Sequence, residues 1–144
     1  MSGELFGRIA LVTGAAGGGI GQAIATRLAA DGATVVVTDS HPRRVVEVAS
    51  AIAEDHGGRA VAKQLDVGDR DQIVEVAQWV RDELGPITML VNNAAYNIMG
   101  SIFDYDPADW DRVLAVNLSG PWMLSKVAMT QMRDAGLPGV ILNV

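Results

Sequence analysis

The chain has no cysteine, two histidines and only two lysines, Lys63 and Lys126. Without cysteine there is no disulfide, no thiolate nucleophile and no cysteine-ligated metal site. His41 and His56 alone make a histidine metal cluster improbable, so no metal is expected. Eleven basic residues face seventeen acidic ones, a net charge of −6, and no basic stripe runs through the chain. That balance argues against nucleic acid and anionic membranes as partners. Long apolar runs are missing too: none approaches the ~20 residues that a bilayer span requires. The stretch from Met1 to Arg8 lacks a basic segment followed by an apolar one, so it reads as no secretory signal, and a cytoplasmic location is expected. What these exclusions leave is a small ligand held by local geometry.

The 144 residues, 49% apolar, match one domain, able to bury roughly 70% of its unfolded surface. Apolar runs alternate with helical periodicities along the whole length, the pattern of an α/β fold with a parallel sheet and crossover helices. Strands are expected over 8–13, 33–38, 59–65, 88–92 and 140–144. Between them, Ile20, Ala23, Ile24 and Leu28 recur at helical spacing up to a stop at Gly32, and Val45, Val48, Ala49 and Ile52 do so between Pro42 and Gly57. Asp69, with Gln72 three residues on, is a helix N-cap, and Asp106-Pro107 starts a further helix with one break expected near Gly120-Pro121. The fifth strand ends the chain as an uncovered sheet edge, so the sequence reads as the front part of a larger domain, cut within or just after that strand.

The densest signal is Val12-Thr13-Gly14-Ala15-Ala16-Gly17-Gly18-Gly19-Ile20-Gly21, a five-glycine turn between the first strand and the first helix. Glycine lets a backbone approach a ligand closely, and a helix N-terminus offers unpaired N–H groups with a partial positive charge. An anion, the pyrophosphate of a dinucleotide, fits over Gly19 to Gly21; a flexible turn is the plain alternative. Asp39 ends the second strand 25 residues after Gly14, near the ~20-residue spacing at which a carboxylate binds an adenosine ribose. Such a carboxylate repels a 2′-phosphate and favours NAD over NADP, although Arg43 and Arg44 lie close behind it. Its other reading is a turn or cap residue before Pro42.

With Asp39 in place, the sequence resembles the classical short-chain dehydrogenase/reductase family, in particular its 3-oxoacyl-reductase-like members. Five segments carry the resemblance in order: Thr13-Gly14 through Gly19-Ile20-Gly21, Leu65-Asp66-Val67, Leu90-Val91-Asn92-Asn93-Ala94-Ala95, Trp110 to Leu118, and Gly139 to Val144. The resemblance implies a doubly wound parallel sheet of the Rossmann type, strand order 3-2-1-4-5, incomplete on its C-terminal side. It implies cofactor contacts from Gly14, Gly18, Gly19, Ile20, Gly21, Asp39, Asp66, Val67, Asn93 and Ala94. Asp66 is suited to accept the adenine amine while the Val67 N–H serves a ring nitrogen; helix capping ahead of Asp69 is the competing role. Asn92 and Asn93 suit either ligand contact or a tie between loops. Asn117, read as a buried amide among Val113, Leu114, Val116 and Leu118, is implied to hold a water that relays protons; an asparagine at a helix bend is the alternative. Homo-oligomers, dimers or tetramers, are implied as well, with Trp122 and Met129 as a face for a second subunit. Trp110, Trp122, Met123, Met129 and Met132 otherwise read as packing residues. Tyr96, Asn97, Ile98 and Met99 are candidates for the start of a substrate pocket.

Three departures qualify this picture. Four residues rather than three separate Gly14 from Gly19, which predicts a bulge around Gly17-Gly18, and Ala95 replaces a more usual glycine. The family's serine beyond the fifth strand and its Tyr-x-x-x-Lys pair have no match: Gly100 and Asp109 stand four residues after Tyr96 and Tyr105. The expected function is therefore an NAD(P)-dependent oxidoreductase interconverting a secondary alcohol and a ketone, these residues supplying the cofactor-binding part and being inactive alone. A non-catalytic dinucleotide-binding or interaction module is the alternative.

Overall fold

The computed structural model describes residues 3–144. Five strands, β1 (Ile9–Val12), β2 (Thr34–Asp39), β3 (Ala60–Gln64), β4 (Met89–Asn92) and β5 (Val140–Asn143), form one sheet in the order β3-β2-β1-β4-β5. Every pairing is parallel; Leu11 lies opposite Val36 on one side and Leu90 on the other. The helices are α1 (Ile20–Ala30), α2 (Pro42–Asp55), α3 (Arg70–Glu83), α4 (Pro107–Leu114) and α5 (Gly120–Ala135). None of them is long and apolar enough to cross a membrane.

Strand side chains alternate between faces, and this alternation divides the core in two. Ala10, Val12, Val35, Val37 and Val91 pack against Ala25 and Ala29 of α1 and Val45 and Ile52 of α2. Leu11, Val36 and Leu90 pack on the other face against Ile73 and Val80 of α3 and Leu124 and Met132 of α5. The α1 side is built largely of alanine, so α1 comes close to the sheet and sets its N-terminus beside the strand ends. Strands apolar on both faces are what a parallel sheet covered on both sides demands.

Caps fix where the elements turn. Gly32, at φ +105°, takes the chain out of α1 in a conformation other residues seldom adopt. Asp69 caps α3 by accepting from the backbone N–H groups of Asp71 and Gln72 at 3.0 and 3.1 Å. Gln72 reaches past the cap residue: its side-chain oxygen accepts from the Asp66 N–H at 3.0 Å, tying the end of β3 to α3. The helix break falls five residues earlier than Gly120, as a π-helical segment at Ala115–Ser119. Gly120 itself continues into α5, where a β-carbon would collide with the Val67 carbonyl. Helix α5 therefore presses directly on the loop that follows β3.

Candidate functional site

Strands β2 and β3 lie on one side of β1, and β4 and β5 on the other, so the loops after β1 and β4 diverge and leave a crevice at the carboxyl ends of the strands. A cavity of about 430 Å³ occupies it. Six of the residues singled out from sequence meet in its wall: Gly14, Asp39, Asp66, Val67, Asn93 and Ala94. Gly17, His41, Arg44, Tyr96 and Arg112 complete much of the rest.

The glycine loop has a fixed side and a bare side. At Gly14, φ is +60° and an added β-carbon would stand 2.8 Å from the Ala94 Cα; at Gly21 it would collide with the Asn93 amide nitrogen. Gly17, Gly18 and Gly19 have nothing within 4 Å of where a β-carbon would be. The extra residue is absorbed at Gly18, whose φ is +74° and whose N–H donates to the Gln22 side-chain oxygen at 3.0 Å. Helix α1 has Gly19 at its N-cap, with no side-chain cap and no acidic residue in its first turn. Its leading N–H groups and the positive end of its dipole are thus uncompensated by side chains, which suits a phosphate.

Asn93 holds the two loops together. Its amide nitrogen donates to the carbonyls of Thr13 and Gly14 at 3.0 and 3.1 Å, while the backbone N–H groups of Asn93 and Ala94 each donate to the Thr13 hydroxyl at 3.0 Å. Asn92 turns the other way, donating to Asn143 at 2.9 Å and to Ser125 at 3.3 Å. Of the two roles open to this pair, both side chains here act between elements of the chain.

Asp39 is buried, and its carboxylate takes the turn role read from the sequence. One oxygen accepts from the Ala16 N–H and the other from the His41 N–H, each at 3.1 Å. The cap position of α2 belongs to His41, not Asp39. A carboxylate offers about four acceptor positions, so two are not taken up by these backbone groups, and the residue lines the cavity. Arg44 lines the same cavity, and Arg43 is absent from its lining.

Asp66 is more heavily engaged. Its Oδ1 accepts from the Gly68 N–H at 2.8 Å and from Arg112 Nη2 at 3.0 Å; its Oδ2 accepts from the same Nη2 at 2.8 Å. The competing capping role belongs to Asp69, leaving Asp66 to organise its own turn. Arg112 comes from α4, 46 residues away in sequence, and no local pattern announces the pairing. Its guanidinium also lies 5.7 Å from the centre of the Tyr96 ring.

Asn117 departs from expectation. It lies in the π-helical segment and is exposed, not buried. Its carboxamide is nevertheless satisfied at both ends, accepting from the Tyr96 N–H and donating to the Tyr96 carbonyl, each at 2.8 Å. The extra residue in the helical turn re-aims this side chain outward, away from Val116 and towards the loop after β4. With Asn92, Ser125 and Asn143 it borders a second cavity of about 630 Å³, which shares Ala94 and Ala95 with the first.

The remaining positions are not gathered into the main cavity. Gly18 and Gly19 border a groove on the outer side of α1 with Gln22 and Thr26, the Ile20 side chain is exposed, and Gly21 is buried against Asn93. The packing role expected of five large residues holds for Met132 and Met123 only. Trp110, Trp122 and Met129 are exposed by 56–58%. Of the pocket candidates, Tyr96 lines the first cavity, while Met99 is exposed at the surface.

These residues fit an adenine dinucleotide: a bare glycine turn at a helix N-terminus, a carboxylate with two spare acceptor positions at the end of β2, and Leu65 and Val67 as apolar wall beyond β3. Comparisons with known proteins agree with that fit. Residues 8–144 match the model of the short chain dehydrogenase family. The (5R,7aS)-5-hydroxy-7a-methyl-1-oxo-2,3,5,6,7,7a-hexahydro-1H-indene-carboxyl-CoA reductase of Mycobacterium tuberculosis is 37% identical over 141 residues, 98% of this chain and 54% of that protein. The meso-2,3-butanediol dehydrogenase of Serratia marcescens is 34% identical over 94% of this chain and 52% of its own length. Among solved structures, a metagenomic short-chain oxidoreductase in complex with NADP superposes with a TM-score of 0.89 at 36% identity, covering 96% of this chain and 62% of that one. The chain spans about half the length of the curated relatives it matches. With residues 8–144 matching the family model and relatives above 30% identity covering nearly all of it, the chain belongs to the short-chain dehydrogenase family.

Proposed function

We propose that these residues form the cofactor-binding part of a nicotinamide-dependent oxidoreductase that interconverts a secondary alcohol and a ketone. The observation that carries the reading is the Asp39 carboxylate, held by two backbone N–H groups with two acceptor positions left over. A ribose diol presents two hydroxyl donors, one for each. The pyrophosphate then lies against Gly17, beside the N-terminus of α1, and the adenine between Leu65 and Val67. Asn93 contributes by fixing the loop after β4 against the glycine turn.

When bound, the dinucleotide supplies or accepts the hydride. The chain's own residues bind and orient it: the glycine turn accommodates charge, Asp39 sets the ribose and Asp66 faces the purine. No tyrosine in the sequence has a lysine four residues on, so we assign binding, not proton exchange, to these residues. Asn117 is assigned a water-relay position only through its matching segment. Its side-chain amide is committed to Tyr96 in this arrangement.

Cofactor choice rests on charge at Asp39. The meso-2,3-butanediol dehydrogenase and the reductase speak for alcohol and ketone chemistry, and the NADP complex of the metagenomic relative does not favour NAD. We assign NAD because a 2′-phosphate brought against the Asp39 carboxylate is repelled; Arg44, which lines the same cavity, is the nearby cation on the β2 side that opposes this. Titration with NAD and NADP, followed by tryptophan fluorescence, tests this. Tighter binding of NAD supports the assignment; equal or tighter binding of NADP overturns it.

A further inference from the structure

We infer that Arg112 is a positioning residue for purine recognition: it holds the Asp66 carboxylate so that one acceptor position remains, aimed at a base carrying an exocyclic amine. The inference rests on the dinucleotide reading above and deepens it.

The argument begins with the acceptor count. Two carboxylate oxygens provide about four acceptor positions. Gly68 N–H takes one position on Oδ1, and an N–H of Arg112 Nη2 is shared between the facing positions of both oxygens, at distances of 2.8 to 3.0 Å. Oδ1 is thereby filled and Oδ2 keeps a single position. One free acceptor matches one N–H of an adenine amine. It repels the carbonyl oxygen that hypoxanthine carries at the same place.

Arg112 is well placed to enforce that orientation. A β-carbon at Gly68 would collide with Arg112 Nη1, so the guanidinium lies directly against the Gly68 backbone. Its guanidinium also lies over the Tyr96 ring, 5.7 Å from the centre, and Tyr96 is itself clamped through its backbone by Asn117. Arginine is suited to such a place because its rigid planar fork combines carboxylate pairing with aromatic contact, which a lysine ammonium cannot reproduce together. Without the guanidinium, Asp66 keeps only the Gly68 N–H on its side chain and is free to rotate, presenting either oxygen to the ligand.

The test compares NAD with nicotinamide hypoxanthine dinucleotide, titrated against the wild type, Arg112→Gln and Arg112→Lys. The wild type is expected to prefer NAD. In R112Q, NAD affinity is expected to fall about tenfold, the loss of roughly one charge-assisted hydrogen bond, while the hypoxanthine dinucleotide changes less, so the ratio between the two collapses. R112K is expected to recover part of the ratio. A purely structural role would weaken both ligands equally; that result, or an unchanged ratio in R112Q, overturns the inference alone. A wild type that binds neither dinucleotide overturns the cofactor reading and this inference with it.

Discussion

Gly17 and Gly21 lie four residues apart in the same turn, yet alanine should affect them oppositely. At Gly21 an added methyl meets the Asn93 amide and comes within 2.7 Å of the Gly14 carbonyl. Neither partner can withdraw, because the Asn93 amide is held by two carbonyls. Overpacking of this kind costs about 1–3 kcal/mol. For a domain near this size each kcal/mol shifts Tm by roughly 2–4 °C, so Gly21→Ala should melt ~4–8 °C lower if the middle of that range applies. At Gly17, φ is not positive and the methyl meets nothing. Stability should hold or rise by up to ~1 kcal/mol as the unfolded chain loses freedom. Gly17 faces the cavity, however, so its methyl stands where the pyrophosphate is placed and NAD affinity should fall at least tenfold. Calorimetric melting and NAD titration of both variants read the two effects separately. A Gly17→Ala variant that binds NAD as tightly as the wild type would refute the placement of the pyrophosphate, and a Gly21→Ala variant that melts normally would refute the packing argument.

Asp39→Ala removes the ribose acceptor and the repulsion of a 2′-phosphate together; NAD affinity should drop about tenfold, or ~1.4 kcal/mol, while NADP affinity holds or improves with Arg44 nearby, as paired titrations can check. Gln131 is buried and joins three elements, accepting from the Ile87 N–H and donating to the Ala77 carbonyl, each at 2.9 Å. Its replacement by alanine should destabilise the fold by about 2–4 kcal/mol through two orphaned backbone groups, measured by denaturant unfolding, with NAD affinity per folded molecule unchanged. Thr13→Val removes the hydroxyl that accepts from Asn93 and Ala94 and should both destabilise the chain by ~1–3 kcal/mol and raise amide hydrogen exchange at those two residues.

The fold was legible because each of its elements was announced locally. Valine-rich strands, helical stripes and stops such as Gly32 depend on neighbouring residues, and the sheet order came with the family resemblance. The cleft was legible for the residues at strand ends, Gly14, Asp39 and Asp66, since topology alone brings them together. What could not be read was how those residues are already employed. Arg112 reaches Asp66 across 46 residues, and nothing in either segment encodes that distance. The amide of Asn117 was expected to be buried because its neighbours are apolar; a π-helical turn changes the phase of the helix and points it outward. Trp110 and Trp122 were expected to pack, but hydrophobic character does not say which face of a helix is covered, and both lie on exposed faces. Gln72 was expected beside the Asp69 cap and does donate to its carboxylate at 3.1 Å, but its oxygen also takes the Asp66 N–H, a second contact that only the turn geometry determines.

The central claim is that a dinucleotide lies across the carboxyl ends of the strands from Gly17 to Val67. Backbone amide chemical shifts recorded during NAD titration test it most directly. The account predicts saturable shifts concentrated at Gly17, Gly19, Ser40, Val67 and Ala94, with the exposed face of α5 around Met129 unmoved. Shifts confined to α5, or none at saturating NAD, would contradict it.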